Sequence, residues 1–89
     1  MEIIFDRSFS KSLNKLNDKD LNYRIEQIII EVESAKSLAE VSNLKKMQGF
    51  KNFYRIRIGD YRIGIELESH ACVRFIVILH RKDIYKKFP

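Results

Sequence analysis

The chain changes its hydrophobic period once, near residue 50, which divides it into a helical part and a sheet part. Phe9, Leu13 and Leu16 recur at i, i+4 and i+7, one apolar stripe of a helix that begins at about Ser8, with Ser8 or Asp6 as its cap. Asn17-Asp18-Lys19-Asp20 interrupts the stripe and offers a second cap with acids in the turn that follows. Leu21, Ile25, Ile28, Ile29 and Val32 predict a second helix running to about Ala35. So short a connection makes the two helices antiparallel. Ahead of both, Glu2 to Phe5 reads as a short strand. Lys36 to Gly49 is a connection of mixed character, with Leu38, Val41, Leu44 and Met47 as core anchors.

Beyond it the period becomes two. Asn52 to Ile58, Tyr61 to Leu67 and Val73 to His80 read as strands, and the last is apolar on both faces, as a central strand is. Asp83 to Phe88 has room for one more helical turn. The order β-α-α-β-β-β predicts an α+β sandwich of two layers. Its sheet is twisted, mainly antiparallel and of about four strands, with the helical hairpin on one face and the other face open. With 89 residues the chain makes one domain, residues 1–89, without internal repeats or a linker.

The first two long strands flank Gly59-Asp60. A two-residue turn there sets Ile58 opposite Tyr61, Arg57 opposite Arg62, Ile56 opposite Ile63 and Arg55 opposite Gly64. Opposed residues share a face, so Arg55, Arg57 and Arg62 converge while the isoleucines point the other way. Taken singly, each arginine is an ordinary solvated surface residue. Three together repel one another, and Gly64 leaves a space opposite Arg55, so the pattern points to an anion site, most simply for phosphate.

Charge agrees with this reading. Residues 1–42 hold six Lys/Arg against eight Asp/Glu, a balance of −2, and residues 43–89 hold eleven against four, a balance of +7. Such asymmetry is the electrostatic footprint of a nucleic-acid binder. The basic residues fall on strands rather than on an amphipathic helix, which disfavours a lipid surface. No apolar run is long enough to span a membrane, and the first residues lack the pattern of a signal peptide. The single Cys72 excludes an internal disulfide and suits a reducing cytoplasm. One Cys with His70 and His80 makes no structural zinc set, and no cofactor is expected.

Several of these segments together carry a family resemblance: Phe9, Lys11, Leu13 and Leu16 in the helical hairpin, Tyr54-Arg55-Ile56-Arg57, Gly59-Asp60-Tyr61-Arg62, and His80-Arg81-Lys82-Asp83-Ile84-Tyr85. Over nearly the whole chain they resemble the RelE/ParE superfamily of bacterial type II toxins. In the RelE branch the resemblance implies a ribosome-dependent endoribonuclease that cuts mRNA through the RNA's own 2′-hydroxyl, without metal. Arg55 and Arg57 match the family's two strand cations, Arg62 its phosphate-binding arginine, Arg81 its carboxy-terminal arginine and Tyr85 its terminal tyrosine. In the ParE branch the same resemblance implies a toxin that poisons DNA gyrase without cutting RNA. A degenerate RNA-binding module is a third reading. Either kind of toxin implies a small antitoxin that wraps the domain.

The RelE chemistry suits these residue types. Cleavage develops negative charge on a phosphorane, and fixed guanidiniums aimed at it favour the transition state. A tyrosine can stack on a splayed base, the role the family match gives Tyr85; packing over the sheet edge is the alternative. The family often has lysines where Arg55 and Arg57 stand, and a lysine can act as base. Arginine, with a pKa above ~12, cannot. A base then comes from elsewhere, with His80 and Glu66 as candidates, or proton transfer matters little. A strand-end histidine and an ion pair with Arg55 are the ordinary roles for those two.

Overall fold

A computed structural model describes residues 1–89. Five strands form one sheet in the order β1-β5-β4-β3-β2: β1 Glu2–Phe5, β2 Leu44–Lys46, β3 Phe53–Ile58, β4 Tyr61–Ser69 and β5 Cys72–His80. Only β1 pairs in parallel, with β5; all other pairs are antiparallel. Helices α1 (Arg7–Asn14) and α2 (Lys19–Ser34) form the layer on one face. The two-layer α+β architecture matches expectation, with one strand more than the four the periodicity gives. The extra strand, β2, lies in the stretch read as connection. Three residues are too few for alternation to register, and the strand exists because β3 offers it an edge (Leu44 opposite Ile56, Lys45 opposite Arg55).

The helices start for different reasons. At α2 the Asp18 carboxylate accepts from the Leu21 backbone N–H at 3.1 Å, an N-cap. At α1 Asp6 holds the cap position, yet its carboxylate instead accepts from the Ser8 hydroxyl at 2.6 Å, and no side chain caps the helix. Where β1 ends, α1 continues along the edge of β5: Ser12 Oγ accepts the Ile78 N–H at 3.0 Å, satisfying a strand donor that would otherwise lack a partner.

The turn falls where expected. Gly59 takes φ +60, the positive φ that the first position of a two-residue hairpin turn of the II′ kind requires. The register is Ile58–Tyr61, Arg57–Arg62, Ile56–Ile63 and Arg55–Gly64. Ile56, Ile58, Ile63 and Ile65 are therefore buried with Val73, Phe75 and Ile78 of β5 against Phe9, Leu21, Ile25 and Val32 of the helices. Phe5, Phe9 and Phe75 make an aromatic trio with centroids 5.5–5.8 Å apart, in which Phe75 meets the other two rings edge-on.

The second face is less open than the sequence suggests. A short C-terminal helix, α3 (Ile84–Lys87), folds back across it, and Met47, Ile84 and Phe88 form a small second core with Phe53, Ile76, Val77 and Leu79. That core explains why β5 is apolar on both sides. The space at Gly64 is not vacant: a Cβ built there would lie 2.8 Å from three Phe88 ring atoms. The missing side chain makes room for an aromatic ring, not for an anion.

Gly64→Ala is expected to push Phe88 from its seat and destabilise the domain by about 1–3 kcal/mol through overpacking. In chemical denaturation the Gly64→Ala, Phe88→Ala pair should cost clearly less than the sum of the single variants, because both act on one contact.

Candidate nucleic-acid interface

The pairing of Arg57 with Arg62, and of Arg55 with Gly64, brings the three hairpin arginines together on the second face, as expected. Lys45 joins them opposite Arg55 on β2. At the far end of β5, the Arg81 N–H donates to the Asp60 carbonyl at 2.8 Å, which ties it to the hairpin turn. Tyr85 on α3 completes the group: Arg55 Nε donates to its hydroxyl oxygen at 3.3 Å.

Neutral oxygens, rather than carboxylates, hold the strand guanidiniums. Arg62 Nη1 donates to the carbonyls of Gly59 at 2.9 Å and Tyr61 at 2.8 Å. Arg55 Nη1 donates to the Asn43 carbonyl at 3.3 Å, and Arg57 Nη2 to Asn43 Oδ1 at 3.2 Å. The salt bridges of the molecule involve other arginines: Arg74 pairs with Asp6 and Glu68, and Arg81, at the margin of the group, makes a loose 3.9 Å contact with Asp60. Arg55, Arg57 and Arg62 thus keep their positive charge uncompensated. Partial burial and the nearby Arg55, Arg57 and Arg81 push the Arg62 pKa below its ordinary value.

Tyr85 feels the same field with the opposite consequence. Its hydrogen bond from Arg55, followed by the charges of Arg55, Lys45 and Arg62, outweighs burial and lowers the phenol pKa. Tyr85 is 61% exposed and lies beside the cations.

The two candidate bases stand apart from this group. His80 pairs with Tyr61, on the helix side of the sheet, where its ring meets the Tyr61 ring edge-on at 5.5 Å and its Nδ1 accepts the Lys82 N–H at 3.2 Å. Even spacing from Ile78 sets it on the face opposite Arg62, which period-2 alternation from a known register would have indicated. Glu66 does share the arginine face, opposite Phe53 and Arg74, but lines a separate cleft of about 470 Å³ with Arg74, Lys87 and Phe88. It makes no ion pair with Arg55, whose guanidinium turns instead to Tyr85 and Asn43. Cys72 is a half-buried free thiol at the start of β5, far along the sheet from the cluster.

Lys45 and Asn43 are the members that sequence reasoning missed. Both belong to β2 or its entry, so the signal for them is the pairing of a three-residue strand, which local pattern does not carry.

Comparisons with known proteins bear on this geometry. Residues 3–85 match the family model for the ParE toxin of the type II toxin–antitoxin system parDE. The chain is 40% identical over 90 residues to toxin RelE3 of Methanocaldococcus jannaschii, covering 100% of each. Among solved structures it resembles a chain of the RelB–RelE antitoxin–toxin complex from Methanococcus jannaschii with a TM-score of 0.79 and 39% identity, covering 97% of this chain and 99% of the other. It resembles a chain of the archaeal RelE–RelB complex from Pyrococcus horikoshii with a TM-score of 0.71 at 20% identity, covering 90% and 93%, a likeness of fold.

The Tyr85 phenol should ionise at lower pH than a free tyrosine, because neighbouring cations favour its charged form. Removing the first of those causes with Arg55→Ala should move the step upward, toward the ordinary value of about 10. The difference between ultraviolet titrations of each protein and its Tyr85→Phe counterpart isolates the step; added salt should shift it the same way.

Proposed function

The chain belongs to the ParE toxin family of type II toxin–antitoxin systems, and on that premise we propose that it is an endoribonuclease of the RelE-like kind, cutting mRNA on the ribosome. The observation that carries this reading is the uncompensated cluster of Arg55, Arg57 and Arg62, with Tyr85 and the loosely paired Arg81 beside it. In this reading the cluster receives one backbone phosphate of a single-stranded mRNA. The adjacent 2′-hydroxyl oxygen attacks phosphorus, the bond to the 5′-oxygen breaks, and charge builds on the non-bridging oxygens. Guanidiniums already fixed by neutral carbonyls need little rearrangement to meet that charge, so they stabilise the transition state more than the ground state. Planar forks also match phosphate oxygens better than ammonium groups do.

His80 lies on the opposite face and Glu66 lines a separate cleft, so in this reading the proton of the 2′-hydroxyl needs another acceptor. Tyr85 is the group whose acidity shifts in the direction a base requires, and we assign it that role beside stacking on a splayed base. Working on ribosomes sets the protein in the cytoplasm, and no helix is long and apolar enough to cross a membrane. Its regulator is a cognate antitoxin that covers the basic surface, as suits a toxin whose relatives were solved as antitoxin complexes. Acidic segments that fold on binding complement the +7 half of the chain.

Arg62→Ala should lower mRNA cleavage by ~10²–10³, the loss expected for one preorganised charge partner. Arg62→Lys should restore part of it, and Arg81→Ala should behave like Arg62→Ala. Lys36→Ala on the acidic half should leave cleavage unchanged. Growth arrest and mapping of cut sites on polysomal mRNA read these effects, with thermal melts as the control for folding. Full toxicity of the Arg62→Ala, Arg81→Ala double variant, together with blocked DNA supercoiling, would transfer the assignment to gyrase inhibition.

A further inference from the structure

We infer that Asn43 is a positioning residue that sets the spacing and aim of Arg55 and Arg57, through its left-handed backbone and its side-chain amide together. The functional consequence rests on the RNA-cleaving reading; the positioning itself does not. Asn43 stands immediately before β2 and is the one non-glycine residue of the chain with positive φ, at +62. Asparagine tolerates that conformation better than most side chains do.

Three donors from two arginines end on this one residue. Its carbonyl oxygen accepts the Arg57 backbone N–H at 3.1 Å and Arg55 Nη1 at 3.3 Å, using both lone pairs. Its side-chain oxygen accepts Arg57 Nη2 at 3.2 Å. Because a guanidinium only donates, the amide must present oxygen rather than nitrogen to it, which fixes the orientation of the side chain.

The turn alone does not account for this. Glycine or aspartate would adopt the same φ and start the Leu44–Ile56 pairing equally well. The bond to the Arg57 guanidinium serves no backbone purpose. It does serve the cluster, since Arg55, Arg57 and Arg62 repel and no carboxylate restrains them. An aspartate would restrain Arg57 while cancelling its charge. An amide restrains it and leaves the charge available to an anion, the requirement for a preorganised phosphate site.

Three variants of the full chain separate these contributions. In Asn43→Gly the backbone conformation survives and the amide is lost. Nitrogen-15 relaxation of the arginine side chains should then show Arg57 mobile and Arg55 as ordered as before. Ribosomal mRNA cleavage should fall by about ten-fold or more, in kcat rather than KM, as misaimed groups cause. In Asn43→Asp, Arg57 should stay ordered, yet a single-stranded RNA oligonucleotide should bind more weakly. Its log–log salt dependence should become shallower by about 0.7, the share of one phosphate contact on a single strand. Asn43→Val, which resists positive φ, should mobilise both arginines.

An Arg57 as ordered in Asn43→Gly as in the native chain would overturn the inference, as would full cleavage by that variant. So would native RNA affinity and salt slope in Asn43→Asp. If the native protein neither binds nor cuts RNA, the proposed function fails. The positioning role is then decided by the relaxation data and by titration with inorganic phosphate, which Asn43→Asp should bind more weakly than the native chain.

Discussion

The register of the β3–β4 hairpin is the constraint on which the other features depend. Period-2 geometry allows its alternating residues two arrangements: isoleucines inward with arginines outward, or the reverse. Burying Ile56, Ile58, Ile63 and Ile65 stabilises the first by about 1.5–3 kcal/mol for each side chain. Repulsion between Arg57 and Arg62 directly opposite each other costs roughly 0.2–1 kcal/mol. The core wins by a wide margin, so the arginines are driven together as a by-product of burying the isoleucines. A cation cluster on a small domain is thus stabilised by the core beneath it.

The C-terminal segment builds on that platform. Phe88 seats its ring over Gly64, and Ile84 and Met47 close a second small core around it. The same helix carries Tyr85 to within hydrogen-bonding distance of Arg55. A packing contact at one end of α3 therefore fixes a polar group at the other, and the site inherits the rigidity of an apolar seat. Because α3 has four residues, its placement derives from Ile84 and Phe88 rather than from helical propensity.

Electrostatics then distinguishes this face from the rest of the sheet. Backbone and amide oxygens restrain Arg55, Arg57 and Arg62 without neutralising them, while carboxylates collect around Arg74 elsewhere on the sheet. Like charges held close are relieved by an anion. A ligand that binds only the folded state adds stability by mass action, which suits both a phosphate chain as substrate and an acidic protein segment as inhibitor.

The helical hairpin, the three long strands, the hairpin register and the convergence of Arg55, Arg57 and Arg62 are all legible in the order of residues. Each of these follows from a local period or a two-residue turn, and the burial of a full apolar face enforces it. Motif resemblance added Arg81 and Tyr85, whose nearness to the hairpin no local pattern shows. The remaining features arise from long-range contacts. Strand β2 exists because β3 has a free edge, and it brings Asn43 and Lys45 to the arginines. Gly64 reads as an opening in one dimension and becomes the seat of Phe88 in three. His80 and Glu66 were separated from the cluster by facing and by lateral distance across the sheet. Local physics sets which face a residue takes. Contacts between segments distant in sequence set its neighbours, and no short window of the chain encodes them.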